Sequence, residues 1–275
     1  MDKYVVIGNP VAHSRSPLIH ARFASQTGAS LEYSRLLAPL DDFAGAASSF
    51  FASGGLGANV TVPFKEHAAR WVDVLATPAE QAFAVNTIFL DRGRRIGTNT
   101  DGTGLVRDLE DNLGWSLGGR RVLLLGAGGA ASGVMGPLFA CRPDRLHVAN
   151  RTPDRALQLI DRFARDSGAA QLASSGLAEL PEMEGGFDIV INATSAGLND
   201  RVPEMPRALV VGARCYDMVY GRDTAFCRWA REAGAAAVSD GLGMLVEQAA
   251  EAFCIWRGVL PETRPVIAEL RASQA

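Results

Sequence analysis

Lysine is nearly missing from this chain. Of 27 basic residues in 275, only Lys3 and Lys65 are lysines; the other 25 are arginines. Cysteine is scarce too. Cys141, Cys215, Cys227 and Cys254 lie far apart, form no Cys-x-x-Cys pair and do not cluster with the four histidines. That excludes a zinc site and a disulfide framework as expectations and leaves reduced thiols. Charge of one sign is also lacking. A net charge of −3, with 21% charged residues, argues against nucleic-acid and anionic-membrane partners. The opening residues show no basic segment followed by an apolar one, so a cytoplasmic location is expected. Val122–Cys141 is free of charge for 20 residues, but five glycines and Pro137 break it after position 125. It reads as a buried strand, a glycine turn and a helix start, not a membrane span.

What remains is ordinary globular composition, 48% hydrophobic, long enough for one large domain or two small ones. Strand-like segments at Lys3–Ile7, Leu31–Leu37, Leu56–Val60, Val85–Leu90, Arg94–Thr98, Arg121–Leu125, Leu146–Ala149, Asp188–Asn192 and Ala213–Tyr216 alternate with helical ones. Helices are expected from Ser16, with Ser16 as N-cap, to Thr27, and over Pro39–Ser53, Lys65–Val72, Thr100–Leu113, Ala130–Ala140, Pro153–Arg165, Asp223–Ala233 and Asp240–Arg257. The alternation predicts the α/β class with parallel sheets. Gly118-Gly119 marks a seam between two domains.

Leu123–Ala131 is strand, glycine turn and helix start, and it fits G-x-G-x-x-A from Gly126. The first glycine permits a tight turn and the second lets backbone approach a pyrophosphate. The helix N-terminus then offers free N–H groups and positive dipole. About 20 residues on, an NAD-preferring site places an acid for the ribose hydroxyls. Here stands Asn150, followed by Arg151, Thr152 and Arg155. With no acid at the strand end to repel a 2′-phosphate, and two guanidiniums and a hydroxyl to bind it, the pattern reads as an NADP pocket. The alternative for the same stretch is a surface helix start with solvated arginines.

In the first 102 residues, polar groups gather at strand ends: Ser14 and Ser16, Asn59, Thr61 and Lys65, Asn86, and Asp101. Hydroxyls and amides both donate and accept, which suits a polyhydroxylated ligand. A lysine beside a carboxylate suits proton transfer. Arginine stays protonated at any working pH, so in a chain that otherwise writes arginine, Lys65 points to acid–base use. Taken singly, Lys65 also fits a solvated first-turn residue and Asp101 a helix cap.

These segments, in order, resemble the shikimate dehydrogenase family. The resemblance rests on Gly8-Asn9-Pro10 with His13–Pro17, Gly57–Glu66, Ala84–Thr87, Asn99–Gly102, Gly126–Ala130, Asn150–Thr152, Asn192–Ser195, Tyr216–Tyr220 and Asp240–Leu245. Asn-Val-Thr-Val-Pro-Phe-Lys is its most specific run. The resemblance implies NADPH-dependent reduction of 3-dehydroshikimate to shikimate in aromatic amino-acid biosynthesis. It implies a substrate domain over 1–102 plus 239–275 and a Rossmann-type NADP domain over 103–238. Lys65 and Asp101 would be the catalytic pair. Ser14, Ser16, Asn59, Thr61, Asn86, Tyr220 and Gln248 would bind substrate. Gly126, Ala127, Gly128, Gly129 and Ala130 would hold the pyrophosphate, and Asn150, Arg151, Thr152 and Arg155 the adenosine phosphate. Met218 and Gly241 would lie near the nicotinamide, although core packing also explains Met218 and Met244. Departures from the family pattern are Leu56, Ala21, Thr98 and a Tyr220 loop one residue short, with Ala225 for the usual proline. Two alternatives stay open: a quinate/shikimate dehydrogenase of broader substrate or NAD use, and a non-catalytic NADP sensor. Monomer and homodimer are both compatible with the chain.

Overall fold

The computed structural model describes residues 1–163, 171–180, 186–194, 201–203 and 205–273. Contacts divide the chain into a first unit, Met1–Gly104 with Leu245–Ser273, and a second, Leu105–Met244. Both divisions fall inside helices, so no glycine-rich linker marks them, and Gly118-Gly119 lies within the second unit.

The first unit runs β1 (Asp2–Gly8), α1 (Ser16–Thr27), β2 (Leu31–Leu37), α2 (Phe43–Ala52), β3 (Gly55–Val60), α3 (Lys65–Trp71), β4 (Val74–Leu75), α4 (Thr77–Ala82), β5 (Thr87–Asp91) and β6 (Arg94–Thr98). The start of α5 (Asp101–Arg107), most of α9 (Leu242–Arg257) and α10 (Arg264–Ala272) complete it. Its six-stranded sheet has the order β2-β1-β3-β5-β6-β4. β1, β2 and β3 are parallel, β5 runs antiparallel to β3 and β6, and β4 is parallel to β6. Val5, Ile7, Ala58, Val60, Phe64 and Ile88 form one core on this sheet. Each large side chain there contributes roughly 1.5–3 kcal/mol by leaving water.

The second unit runs β7 (Arg121–Leu125), α6 (Gly129–Ala140), β8 (Arg145–Asn150), α7 (Pro153–Phe163), β9 (Gln171–Gly176), β10 (Ile189–Asn192), β11 (Arg214–Asp217), α8 (Ala225–Glu232) and β12 (Ala237–Asp240). All its strands are parallel, in the order β12-β11-β10-β7-β8-β9. That is the doubly wound dinucleotide-binding order, which reverses between β7 and β10. The run Val122-Leu123-Leu124-Leu125 has no polar alternation because both faces are covered. Val122 and Leu124 enter one core, Leu123 and Leu125 the other. The charge-free stretch 122–141 is therefore β7, a turn and α6. No helix among the described residues is long and apolar enough to cross a membrane.

Several element boundaries differ from expectation. Ser16 is the first helical residue, not the cap; Arg15 holds that position, and the Ser14 hydroxyl accepts from the Ser16 N–H at 3.3 Å. The second helix starts at Phe43 because the Asp42 carboxylate accepts from the Gly45 N–H at 2.8 Å. Thr100–Leu113 is not one helix: α5 passes into a π-helical turn over Asp108–Asn112. Asp108, nearly fully buried, accepts there from the Tyr216 hydroxyl at 2.6 Å. Elements β4, α4, β9, β12 and α10 are additions. β4 has two residues, too few to show a period, and β9 and β12 are half-buried edge strands whose alternation is weak. Residue 195, the end of the Asn192–Ser195 motif, and residues 164 and 165 of the expected helix lie outside the described residues.

Candidate functional site

Phe64 is fully buried against Phe43, with ring centroids 5.4 Å apart, and it seats the start of α3 in the core. Lys65 follows as the first helical residue. Its carbonyl accepts from the Val85 N–H at 2.9 Å, which fixes its backbone one residue before Asn86. Lys65 Nζ donates to Asp101 Oδ2 at 2.5 Å, with the lysine side chain 20% exposed and the aspartate 9%.

Asp101 opens α5, where a negative charge meets the positive helix end. Its N–H donates to Asn99 Oδ1 at 3.0 Å, and Asn99 Nδ2 donates to the Ala84 carbonyl at 2.9 Å. The other Asp101 oxygen, Oδ1, accepts from Asn86 Nδ2 at 2.7 Å. The orientation of that amide is settled by chemistry. The Thr100 N–H can only donate, and it lies 2.9 Å from Asn86 Oδ1. The Asn86 NH₂ is therefore the end that faces Asp101. Thr87 Oγ1 donates to the same Asn86 oxygen at 2.8 Å. Asp101 thus has a donor on each oxygen, Asn86 Nδ2 on Oδ1 and Lys65 Nζ on Oδ2.

Asn59, buried on β3, donates from Nδ2 to the Asn86 carbonyl at 3.2 Å and Thr87 Oγ1 at 3.1 Å. Gln248 on α9 donates to the Leu245 carbonyl at 2.7 Å, and its Oε1 accepts from Thr100 Oγ1 at 3.5 Å. Thr61 follows β3, and a Cβ on Gly8 would lie 2.4 Å from its methyl, so glycine is what lets the two strand ends meet. Ser14 and Ser16, both buried, face each other with Oγ atoms 3.2 Å apart. The network thus brings Lys65, Asp101, Asn86, Asn59 and Gln248 together. It also recruits Thr87, Asn99 and Thr100. Asn99 and Thr100 stand in a quoted motif, and Thr87 ends another, but a side chain that serves another side chain leaves no spacing signal.

In the second unit, Gly126 has φ +107, and its N–H donates to the Ala149 carbonyl at 2.7 Å. A Cβ there would lie 3.1 Å from the Ala193 carbonyl, so glycine is required. Gly128 and Gly129 differ: a Cβ at either meets nothing within 4 Å. The protein's own packing does not demand these two glycines. They leave open space over the N-terminus of α6, whose cap residue Gly128 supplies no side-chain bond. This turn, with Ala127 and Ala130, stands at the carboxyl end of β7, beside the reversal of strand order where such folds take their ligands. A bare helix end with an open approach fits a pyrophosphate.

Asn150 ends β8 and donates from Nδ2 to the Thr152 carbonyl at 2.9 Å, which shapes the turn into α7. Arg151, Thr152 and Arg155 are exposed. The residues present fit a 2′-phosphorylated nucleotide: two exposed cations, a hydroxyl and no acid at the strand end. Met218 and Tyr220 lie in the loop after β11, both partly buried. Met218 packs against the core and Met244 within it, as the packing alternative expects. A Cβ on Gly241 would lie 2.4 Å from the Met218 carbonyl, so Gly241 lets β12 end against that loop. Asp217, fully buried, shapes the loop by accepting from Asn192 Nδ2, the Val219 N–H and Thr224 Oγ1. Burial raises its pKa above the usual carboxylate range, against those three donors.

Comparison with known proteins matches three family models in chain order. They are the shikimate dehydrogenase substrate binding domain over residues 6–88, the shikimate/quinate 5-dehydrogenase over 108–201 and the shikimate 5′-dehydrogenase C-terminal domain over 241–271. The NADP(+) shikimate dehydrogenase of Cupriavidus necator is 56% identical over 278 residues, covering 99% of this chain and 94% of that protein. The crystal structure of an Ael1 enzyme from Pseudomonas putida superposes with TM-score 0.92 at 45% identity, covering 98% of each chain. Shikimate 5-dehydrogenase from Thermus thermophilus, solved with NADP(H) and shikimate, superposes with TM-score 0.86 at 34% identity, covering 99% of this chain and 100% of that one.

Proposed function

This chain belongs to the shikimate dehydrogenase family and is an NADP-dependent oxidoreductase that interconverts 3-dehydroshikimate and shikimate; we propose that Lys65 and Asp101 carry its proton transfer. The observation behind the assignment is the 2.5 Å Lys65–Asp101 contact, with Asn86 on the second carboxylate oxygen. When bound, the nicotinamide supplies a hydride equivalent to the carbonyl carbon. Lys65 Nζ gives a proton to the oxygen that becomes the hydroxyl. Being 20% exposed, the neutral amine regains a proton from solvent. Asn86 donates to one oxygen of Asp101 and Lys65 to the other, which holds this carboxyl group in place. It keeps the amine aimed.

Ser14, Ser16, Asn59, Thr61, Asn86, Tyr220 and Gln248 hold the substrate in this reading. Gly126–Ala130 take the pyrophosphate, and Asn150, Arg151, Thr152 and Arg155 the 2′-phosphate. Met218 and Gly241 adjoin the nicotinamide. The roles divide between residues 1–102 with 239–275 for substrate and 103–238 for NADP. A cytoplasmic location and a monomeric or homodimeric state belong to the same proposal; fractionation and size-exclusion chromatography test them.

Absorbance at 340 nm, with shikimate or quinate against NADP or NAD, tests the whole. Shikimate with NADP gives the highest kcat/KM. Equal values for NAD and NADP would remove the Asn150–Arg155 assignment. Undiminished kcat in Lys65→Ala would remove Lys65.

A further inference from the structure

The edge strand β2 holds two side chains that no motif singled out. Tyr33 and Arg35 are two residues apart and so share one face of the sheet. Both reach across that face to groups assigned above to the substrate. Tyr33 Oη donates to Asn59 Oδ1 at 2.7 Å. Asn59 is on β3, two strands away, since β1 lies between. With strands about 4.8 Å apart, the phenol spans about 10 Å. Its hydroxyl also lies beside the Ser16 side chain.

Arg35 grips the neighbouring loop. Its Nη2 and Nε donate to the Ser14 carbonyl at 2.6 and 3.1 Å. Two bonds from one planar fork converge on that single carbonyl oxygen and hold the peptide in place. The Ser14 hydroxyl in turn meets Ser16.

Tyr33 is braced from behind. The His20 ring stacks on it with centroids 4.1 Å apart and planes 9° apart. His20 is fully buried, and burial lowers its pKa to about 3. The Asn59 side chain opposes this, and neither ring nitrogen of His20 has a hydrogen-bond partner among the described residues. A neutral, flat neighbour leaves the phenol few rotamers, so the hydroxyl stays on Asn59.

We infer that Tyr33 and Arg35 are positioning residues for substrate: Tyr33 orients the Asn59 amide, and Arg35 sets the Ser14–Ser16 hydroxyl pair. Neither takes part in proton transfer, and neither belongs to the nucleotide-binding unit. The inference rests on the proposed substrate role of Ser14, Ser16 and Asn59.

The experiment measures steady-state kinetics and melting temperature of the full chain for Tyr33→Phe, Arg35→Ala, Arg35→Lys and Ser16→Ala. Losing the phenol hydroxyl strands a buried acceptor, and losing the fork frees a loop. Each raises KM for shikimate about tenfold. In both variants kcat and KM for NADP stay within about twofold of the parent. Arg35→Lys keeps the charge and one donor, so its KM falls between the parent and Arg35→Ala. KM for shikimate unchanged in both Tyr33→Phe and Arg35→Ala overturns the inference. So does a parallel rise in KM for NADP with a lower melting temperature, which marks general loosening. Ser16→Ala separates the two levels. Unchanged KM there removes the substrate role of the serine pair, and the Arg35 inference with it. Raised KM in Ser16→Ala alone leaves the site intact and sinks only the β2 inference.

Discussion

The carboxyl ends of β3 and β6 in the first unit and of β7 and β8 in the second are built on opposite plans. Around Asp101, functional groups are partnered by the protein itself. Asn86, Asn59 and Thr100 are buried, and each is held by neighbours that are also held. Around Gly128, the protein provides almost nothing: a helix end without a side-chain cap, two glycines facing open space and exposed arginines. The first plan suits chemistry, because a proton donor must be aimed before the substrate arrives. The second suits a large, charged, exchangeable ligand that completes the site itself. Buried polar networks lose stability when cut, whereas open glycine turns do not.

Substitutions break or sharpen that contrast. Lys65→Ala has the largest expected effect, a fall in kcat of about 10²–10⁴-fold with little change in KM. Lys65→Arg restores charge at Asp101 but not proton exchange, so kcat stays low. Next comes Asn86→Ala, which strands the Thr100 N–H and one Asp101 oxygen. Each buried group left unpaired costs about 1–3 kcal/mol, so urea denaturation shows a loss of several kcal/mol together with reduced kcat. A variant as stable as the parent would mean the network is not buried as described.

His20 extends the contrast to pH. Folding lowers its pKa from 6.5 to about 3. Between those values the unfolded chain binds the proton and the native chain does not. Stability from this group is therefore full above pH 6.5 and is lost as pH falls toward 3, at about 1.4 kcal/mol per pH unit. Replacing His20 with Phe flattens that part of the urea-derived stability profile between pH 6 and 4; an unchanged slope would show that His20 is not the source.

In the second unit the effects are smaller and fall on the cofactor. Arg151→Ala with Arg155→Ala raises KM for NADP about tenfold and leaves NAD use unchanged, because only the 2′-phosphate distinguishes the two. Gly128→Ala raises KM for NADP several-fold, on the order of 1 kcal/mol, while melting temperature holds, since its Cβ meets only open space. A drop in stability as large as that of Asn86→Ala would erase the difference between the two plans.

Much of the second unit was legible in sequence. An unbroken apolar run at 122–125, the glycine turn and the polar end of the next strand each report a local requirement. In the first unit the signals were polar residues at strand ends, and these marked Lys65, Asn86 and Asp101. Their order of contact was not legible. Tyr33 and Arg35 lie in a strand whose pattern is half exposed and unremarkable. The break of α5 into a π-helical turn at Asp108 was hidden as well. Its first residue, Asp108, is bonded by Tyr216, 108 residues later in the chain.

By itself, the sequence determined the α/β class, the family and the NADP cofactor, and it marked Lys65 and Asp101 as the candidate proton-transfer pair. The class rests on the alternation of segments, the cofactor on residue chemistry at one strand–turn–helix segment, and the family and the candidate pair on motifs spread along the chain. Only the tertiary structure decided that Asn86 presents its NH₂ to Asp101, and that an edge strand two positions away reaches the serine loop and Asn59. The physical reason is that hydrogen-bond direction and reach across a sheet are properties of pairs brought together by folding, and no single residue carries them.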